Sequence, residues 1–430
     1  MPRLSLRTLS ATVLAVAAGL VLAAQAPAAT PAQLKGISVS AIGTDPAALA
    51  QSLTKVKSEG ATFVRAGLGW ADVEPDGAGE RPAEILARMD RFFADARARK
   101  LKVLLLVSGT PCWASAAPAD LRGDCSTEKQ RAAAREYPPA DPEEFARFSA
   151  FVTQRYATDL VAYEVWNEPD QSNELYFAGP DKPKRYAAML RAAYPAVKAV
   201  APKVPVLAGA LVGSNGAFLK ALYDNGIKGY YDGLSVHFYD LVLYSLKQIR
   251  QFQVANGDTK PVWLAETGWS SCAPKKIQDG QVCVNRTIQA ANLADLYQSV
   301  RSTSWLRATT IFSISDTPQY DLGLFDRQGR PKPSATALRT AWASRRRTLR
   351  ATTLRLRSSG GTLLATGSGP AGDVYTLDAS VGGRLRYRVN FRMNSVNTYS
   401  LKVPSAVGTR GVTVRVRRMW DGRSVTRSTR

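Results

Sequence analysis

The chain has 430 residues, 45% of them hydrophobic and 21% charged, so it can bury a large core and is not a disordered polymer. Its length suggests two or three domains. The formal net charge of +22 is strongly basic and turns attention to anionic partners.

Residues 1–28 read as a signal peptide. Arg3 and Arg7 supply the positive region, Ala11 to Ala24 an apolar run of small residues, and Ala26-Pro27-Ala28 a cleavage site. The run is too short to span a bilayer, and no cysteine near it invites a lipid anchor. The expected location is secreted or periplasmic.

From 29 to 344 one pattern recurs eight times: a short apolar run, then an amphipathic stretch. Strands are expected to begin near Gly36, Thr62, Leu101, Val161, Val204, Leu234, Val262 and Thr309. Helices are expected over Asp45 to Ser58, Ala83 to Arg99, Pro142 to Tyr156, Pro183 to Val200, Asn285 to Val300 and Pro333 to Ala343. Asp45-Pro46 and Asp141-Pro142 place proline at the first helical position. Continuous apolar strands alternating with helices imply a covered parallel sheet, and eight repeats fit an α/β (β/α)₈ TIM barrel. A doubly wound sheet is the rival; it usually has fewer strands, and no glycine-rich phosphate loop is present. No cofactor is expected.

Barrel enzymes place chemistry at the C-terminal ends of their strands. There the sequence puts Arg65 and Trp70 (strand two), Trp113 (three), Trp166, Asn167 and Glu168 (four), His237 and Tyr239 (six), and Glu266 and Trp269 (seven). Paired carboxylates flanked by aromatics suit glycosidic bond chemistry, which needs one acid and one nucleophile or base. Glu164 lies within strand four and is expected to face away from this rim.

From Gly36 to Leu338 the chain resembles the clan A retaining glycoside hydrolases, in the family 39 form, with the cellulase-like family 5 as neighbour. The likeness rests on Asn167-Glu168-Pro169, Trp70-Ala71-Asp72-Val73-Glu74-Pro75, Thr110-Pro111-Cys112-Trp113-Ala114, His237-Phe238-Tyr239, Glu266-Thr267-Gly268-Trp269, Gly323-Leu324-Phe325-Asp326 and Lys332-Pro333, in order along the chain. It implies that Glu266 is the nucleophile and Glu168 the acid/base. Arg65 would keep Glu266 ionised and Tyr239 would hold it. Asn167 would bind the sugar 2-hydroxyl, and His237 would line the subsite. The charge on Glu266 is expected to raise the pKa of Glu168. Trp70, Trp113 and Trp269 are either sugar platforms or loop anchors. One departure stands out: strand eight reads Ile311-Phe312-Ser313, without the tryptophan many relatives carry there.

Four cysteines allow three pairings. Each sequence-local pair brackets a polar insert, so Cys112–Cys125 and Cys272–Cys283 are expected as disulfides. A zinc site is the weaker reading, because the only histidine is His237, and no metal is expected.

Past Arg345 the helical period stops. Short runs separated by Gly- and Ser-rich turns read as a C-terminal all-β, sandwich-like domain over 345–430. It holds 18 basic against 3 acidic residues, a net +15 of the +22. Arginine alternates with apolar residues in Arg384-Leu385-Arg386-Tyr387-Arg388, so the arginines share one sheet face. The face is either solvated surface or a site for anionic glycans or cell envelope. The sequence reading is a monomeric retaining glycosidase acting on carbohydrate, with no nucleic-acid partner. Its rivals are a polysaccharide-binding barrel without catalysis and an adhesion module.

Overall fold

The computed structural model describes residues 33–273, 276–278 and 281–430, so the expected signal peptide, 1–28, lies outside the described residues. Eight parallel strands close into a barrel: β1 (Leu34–Ser38), β2 (Phe63–Gly69), β3 (Lys102–Ser108), β4 (Leu160–Val165), β5 (Val206–Leu211), β6 (Gly233–His237), β7 (Val262–Thr267) and β8 (Leu306–Ile311). Their order around the barrel is β1-β8-β7-β6-β5-β4-β3-β2. All six expected helices form, and helices Ala217–Asp224 and Val242–Ala255 complete the outer layer after β5 and β6. The Asp45 and Asp141 side chains accept hydrogen bonds from the first-turn amides of Ala47 and Glu143, as their proline-led starts predict.

The barrel interior is packed in layers. Its floor is a buried cluster of Phe63, Leu104, Ala162, Leu207, Trp263, Ala265 and Ala308. Two glycines make room for its largest rings. A Cβ at Gly36 would fall 2.2 Å from the Phe63 ring, and one at Gly233 would fall 2.8 Å from Trp263 Nε1. Side chains on a strand repeat their direction every two residues. Moving up from the floor therefore leads from Phe63 to Arg65, from Ala162 to Glu164, and from Gly233 through Ser235 to His237. A polar layer sits directly on the apolar one.

This corrects one expectation. Glu164 does not face away from the rim. It is fully buried inside the barrel, where it accepts a hydrogen bond from Arg65 Nε at 2.7 Å and another from Ser235 Oγ. Two residues above the inward Ala162, it can only point in.

Beyond the helix Pro333–Ala343, two antiparallel sheets face each other. One holds β9 (Arg355–Ser359), β10 (Thr362–Ser368) and β13 (Thr398–Val403), in the order β9-β10-β13. The other holds β11 (Val374–Val381), β12 (Arg384–Arg392), β14 (Val412–Arg418) and β15 (Ser424–Ser428), in the order β12-β11-β14-β15. Leu363, Ala365, Tyr375, Leu377, Val414 and Val416 are among the residues of their shared core. Register places Arg388 and Arg415 opposite Asp378, and Arg417 opposite Thr376, so these arginines share the outer face.

The sheets are fixed to the barrel through the helix Arg286–Val300. Its residues Gln289, Asn292, Asp295, Gln298 and Ser299 are polar yet buried. Asn397 Nδ2 donates to Asn292 Oδ1 at 2.8 Å, Arg350 Nε to Asp295 Oδ2 at 2.5 Å, and Arg418 Nη2 to Ser299 Oγ at 2.9 Å. The helix thus turns Asn292, Asp295 and Ser299 to the C-terminal residues, while Gln289 donates to Trp269 O and Gln298 to Ala341 O within the barrel domain. Both disulfides form as expected, Cys112–Cys125 with Cα atoms 5.8 Å apart and Cys272–Cys283 with 5.4 Å. No helix among the described residues is long and apolar enough to cross a membrane.

Candidate active site

The site is organised around Arg65. From β2 its guanidinium reaches Glu164 through Nε, Glu266 Oε1 through Nη1 at 2.5 Å, and Asn167 Oδ1 through Nη2 at 3.3 Å. Burial alone would weaken the hold of Arg65 on its proton, but the two carboxylates more than offset that.

Glu266 comes inward through an irregularity in β7. The β6–β7 register shifts between Val236 and His237, so that His237 pairs with Glu266. A strict period of two from Trp263 and Ala265 would have turned Glu266 to the outer layer, and the bulge re-aims it. Its second oxygen, Oε2, accepts from Tyr239 Oη at 2.7 Å. Burial and the Glu266 charge keep the Tyr239 hydroxyl far above its ordinary pKa, so it stays a donor.

Glu168 sits just past β4 with φ 47°, and Trp166 has φ 66°. Both are left-handed values that non-glycine residues seldom adopt, and each costs about 1–3 kcal/mol, to be repaid by surrounding contacts. Trp166 is locked in the core between Phe145 and Phe177. Glu168 itself is 8% exposed, accepting from Gln171 Nε2 at 2.9 Å and meeting His237 Nδ1 at 2.7 Å.

His237 lies between the two glutamates, its Nδ1 3.7 Å from Glu266 Oε2. Its other nitrogen, Nε2, is 3.2 Å from Arg65 Nη2. An arginine nitrogen can only donate, so in the neutral ring Nε2 accepts and the proton sits on Nδ1, facing the carboxylates. Burial opposes a charged ring and Arg65 adds to that, but Glu266 and Glu168 raise its proton affinity above the ordinary value. Burial likewise pushes the Glu168 carboxyl up. The His237 hydrogen bond, the His237 charge, Gln171 and Arg65 together hold it below the usual range. This corrects the expectation that Glu266 raises Glu168: in the free protein the carboxyl is held below its ordinary range, chiefly through its contact with His237. Facing oxygens of Glu168 and Glu266 and a nitrogen of His237 all lie within 4.8 Å of one another. Such a trio can ligate a metal, but here a cation would sit beside the Arg65 guanidinium already bonded to Glu266.

The tryptophans divide. Trp70 is fully buried, stacked on Phe148 with its Nε1 donating to Glu74 Oε2 at 3.0 Å, so it supports the loop and offers no face to a sugar. Trp113 is half-buried, edge-on to Trp70, with its Nε1 on the Glu74 carbonyl. Trp269 is 5% exposed, and a Cβ at Gly372 of the C-terminal sheets would lie 3.4 Å from its ring. Ser235 and Gln171 were not singled out in the sequence, and Glu164 was set aside, although a glutamate inside an otherwise apolar strand is itself a signal of a buried partner. Phe312 was also passed over. Half-exposed at the end of β8, it hydrogen-bonds through its amide to Thr267 O, beside the strand that carries Glu266, and its ring meets Tyr320 edge-on.

The sequence model of the cellulase family, glycosyl hydrolase family 5, matches residues 24–302, well over half of the chain. No curated protein matches in sequence. Among solved structures, a family 39 glycoside hydrolase from Bacteroides cellulosilyticus is 20% identical, with TM-score 0.53, covering 86% of this chain and 80% of its own. A family 39 β-xylosidase from Caulobacter crescentus is 15% identical, with TM-score 0.55, covering 87% and 96%. The family 39 enzyme of Xanthomonas axonopodis pv. citri is 13% identical, with TM-score 0.55, covering 87% and 92%. The chain belongs to the cellulase (glycosyl hydrolase family 5) family and is a clan A retaining glycoside hydrolase with the fold of the family 39 enzymes.

Proposed function

We propose that Glu266 attacks the anomeric carbon while Glu168 protonates the departing glycosidic oxygen, and that Glu168 then takes a proton from the water that releases the sugar. The observation that carries this assignment is the approach of the two carboxylates to within 4.8 Å. Retaining enzymes hold their pair about 5–5.5 Å apart, whereas inverting ones leave room for a water at about 6.5–9.5 Å. Arg65 and Tyr239 occupy both oxygens of Glu266, which orients it for attack. For this step Glu168 must carry a proton; delivering it to the leaving oxygen leaves Glu168 ionised, 2.7 Å from His237 Nδ1, and so a base for the incoming water.

The experiment is NMR of the first product anomer, with Glu266→Gln as control. Product of unchanged configuration and a dead variant are expected. Inverted product, or a variant that keeps turnover on an activated glycoside, overturns the assignment.

We further propose that residues 1–28 direct export, to the periplasm or beyond, that 29–344 carry catalysis, and that the protein works as a monomer. The outer arginine face of β12 and β14 would attract anionic glycans or cell envelope. Exposed charges are screened over about 8 Å at physiological salt, so that attraction weakens as salt rises.

A further inference from the structure

At the opposite end of the barrel from the glutamates lies a groove of 470 Å³, a volume within the range of ligand sites. Its walls are Trp305, just before β8, and Trp420, just after β14. Their rings are 6.0 Å apart and inclined by 59°, and both are half-buried. Six residues of β8, about 20 Å at 3.3 Å each, separate this groove from the catalytic rim.

Part of the polar lining has no partner. Trp420 Nε1 is taken by Ser299 O, but among the described residues the Trp305 indole N–H and the side chains of Gln251, Ser302 and Ser304 have no hydrogen-bond partner. Two cations complete the groove. Lys247 Nζ donates to Met419 O and Arg250 Nη1 to Lys260 O, both neutral carbonyls. Neither has a carboxylate within ion-pair distance among the described residues. Asp258, near Arg250, is taken by Lys260 and the hydroxyls of Tyr223 and Tyr231. Asp421, next to Trp420, is taken by Arg347, Arg418 and Arg423.

Aromatic faces with free hydroxyl and amide groups match the alternating apolar and polar surfaces of a sugar chain. Two cations without an acidic partner match a carboxylate. We propose that this groove is a second glycan-binding site, remote from catalysis, for an oligosaccharide carrying uronic acid residues. It is built by barrel and C-terminal sheets together, so it exists only when the two are joined. The inference rests on the reading of the protein as glycan-active, but not on the roles of Glu168 and Glu266.

The test is calorimetric binding of a hexamer of galacturonic acid to the full chain, with a neutral hexamer of glucose as comparison. Gln251→Glu puts a negative charge on an exposed groove residue and should weaken uronate binding about tenfold, the effect of roughly 1.4 kcal/mol. Trp305→Ala should weaken it as much. Turnover of a small aryl glycoside should stay unchanged in both. Uronate binding unaffected by both substitutions overturns the proposal. Equal binding of the neutral hexamer overturns its charge selectivity. A third variant, Arg388→Gln/Arg415→Gln/Arg417→Gln, separates the exposed sheet from the groove. If it alone loses binding, the groove is not the site, while the glycosidase reading stands.

Discussion

At the barrel mouth, Arg65 has every nitrogen engaged, and the carboxylate Glu168 is held low. At the junction of barrel and sheets, Arg418 and Asp373 are each 1% exposed and 3.1 Å apart, yet neither Nε nor Nη1 of Arg418 makes a hydrogen bond. Burial there wins over the Arg418 charge, and the Asp373 carboxyl is pushed up to about 6. Both regions bury charge, and they differ in hydrogen-bond geometry. A buried ion pair is strong only when its donors point at its acceptors, because neither charge has water to fall back on. At the mouth the donors of Arg65 point at their acceptors, and at the junction they do not, which leaves the Asp373 carboxyl with a raised proton affinity.

The comparison can be broken most severely at Glu168. Glu168→Ala should slow hydrolysis of substrates with poor leaving groups by about 10²–10⁴-fold, the usual worth of a general acid. Activated glycosides should suffer less in their first step, and added azide should restore their turnover by replacing the activated water. Equal losses on both substrate classes, without azide rescue, would show that the low carboxyl of Glu168 is structural only.

A smaller effect is expected below the site. Glu164→Gln removes the charge that faces Arg65 Nε and leaves a buried guanidinium with one carboxylate fewer. Breaking such a pair costs about 3–5 kcal/mol, read as a fall in unfolding free energy in denaturant. A change under 1 kcal/mol would mean that Arg65 is held by Glu266 and Asn167 alone.

The smallest effect belongs to the junction, and its sign follows from the direction of the shift. The Asp373 carboxyl rises from an ordinary 3.8 to about 6 in the folded chain, so the native state binds the proton more tightly than the unfolded one. The contribution of Asp373 to stability is therefore largest below about pH 4, falls as pH climbs toward 6, and levels off above, a change on the order of 3 kcal/mol. Asp373→Asn should flatten that stretch of the stability profile. An unchanged slope would place the titration elsewhere.

Much of this architecture was legible residue by residue. Strand and helix periods located all eight barrel strands to within three residues of their starts, and the carboxylates at the ends of β4 and β7 stood out against apolar runs. The local cysteine pairs were legible because their partners lie 13 and 11 residues apart. What escaped was set by distant contacts. Trp70 sits at a strand end like a sugar platform, and only its stacking on Phe148 shows that it is core. The helix Arg286–Val300 was expected from its period alone, and its buried Asn292, Asp295 and Ser299 make sense only against the C-terminal residues that bond to them.

The sequence by itself determined the periodicity, the strand-end chemistry and the basic tail, because each is written in neighbours a few residues apart. Tertiary structure alone decided that Glu164 turns inward, that a bulge aims Glu266, and that His237 stands between the glutamates. Arg65 meets Glu164 and Glu266 across 99 and 201 residues of chain. A proton's position in such a site depends on which charges the closed barrel brings within a few ångströms, and no local pattern encodes that distance.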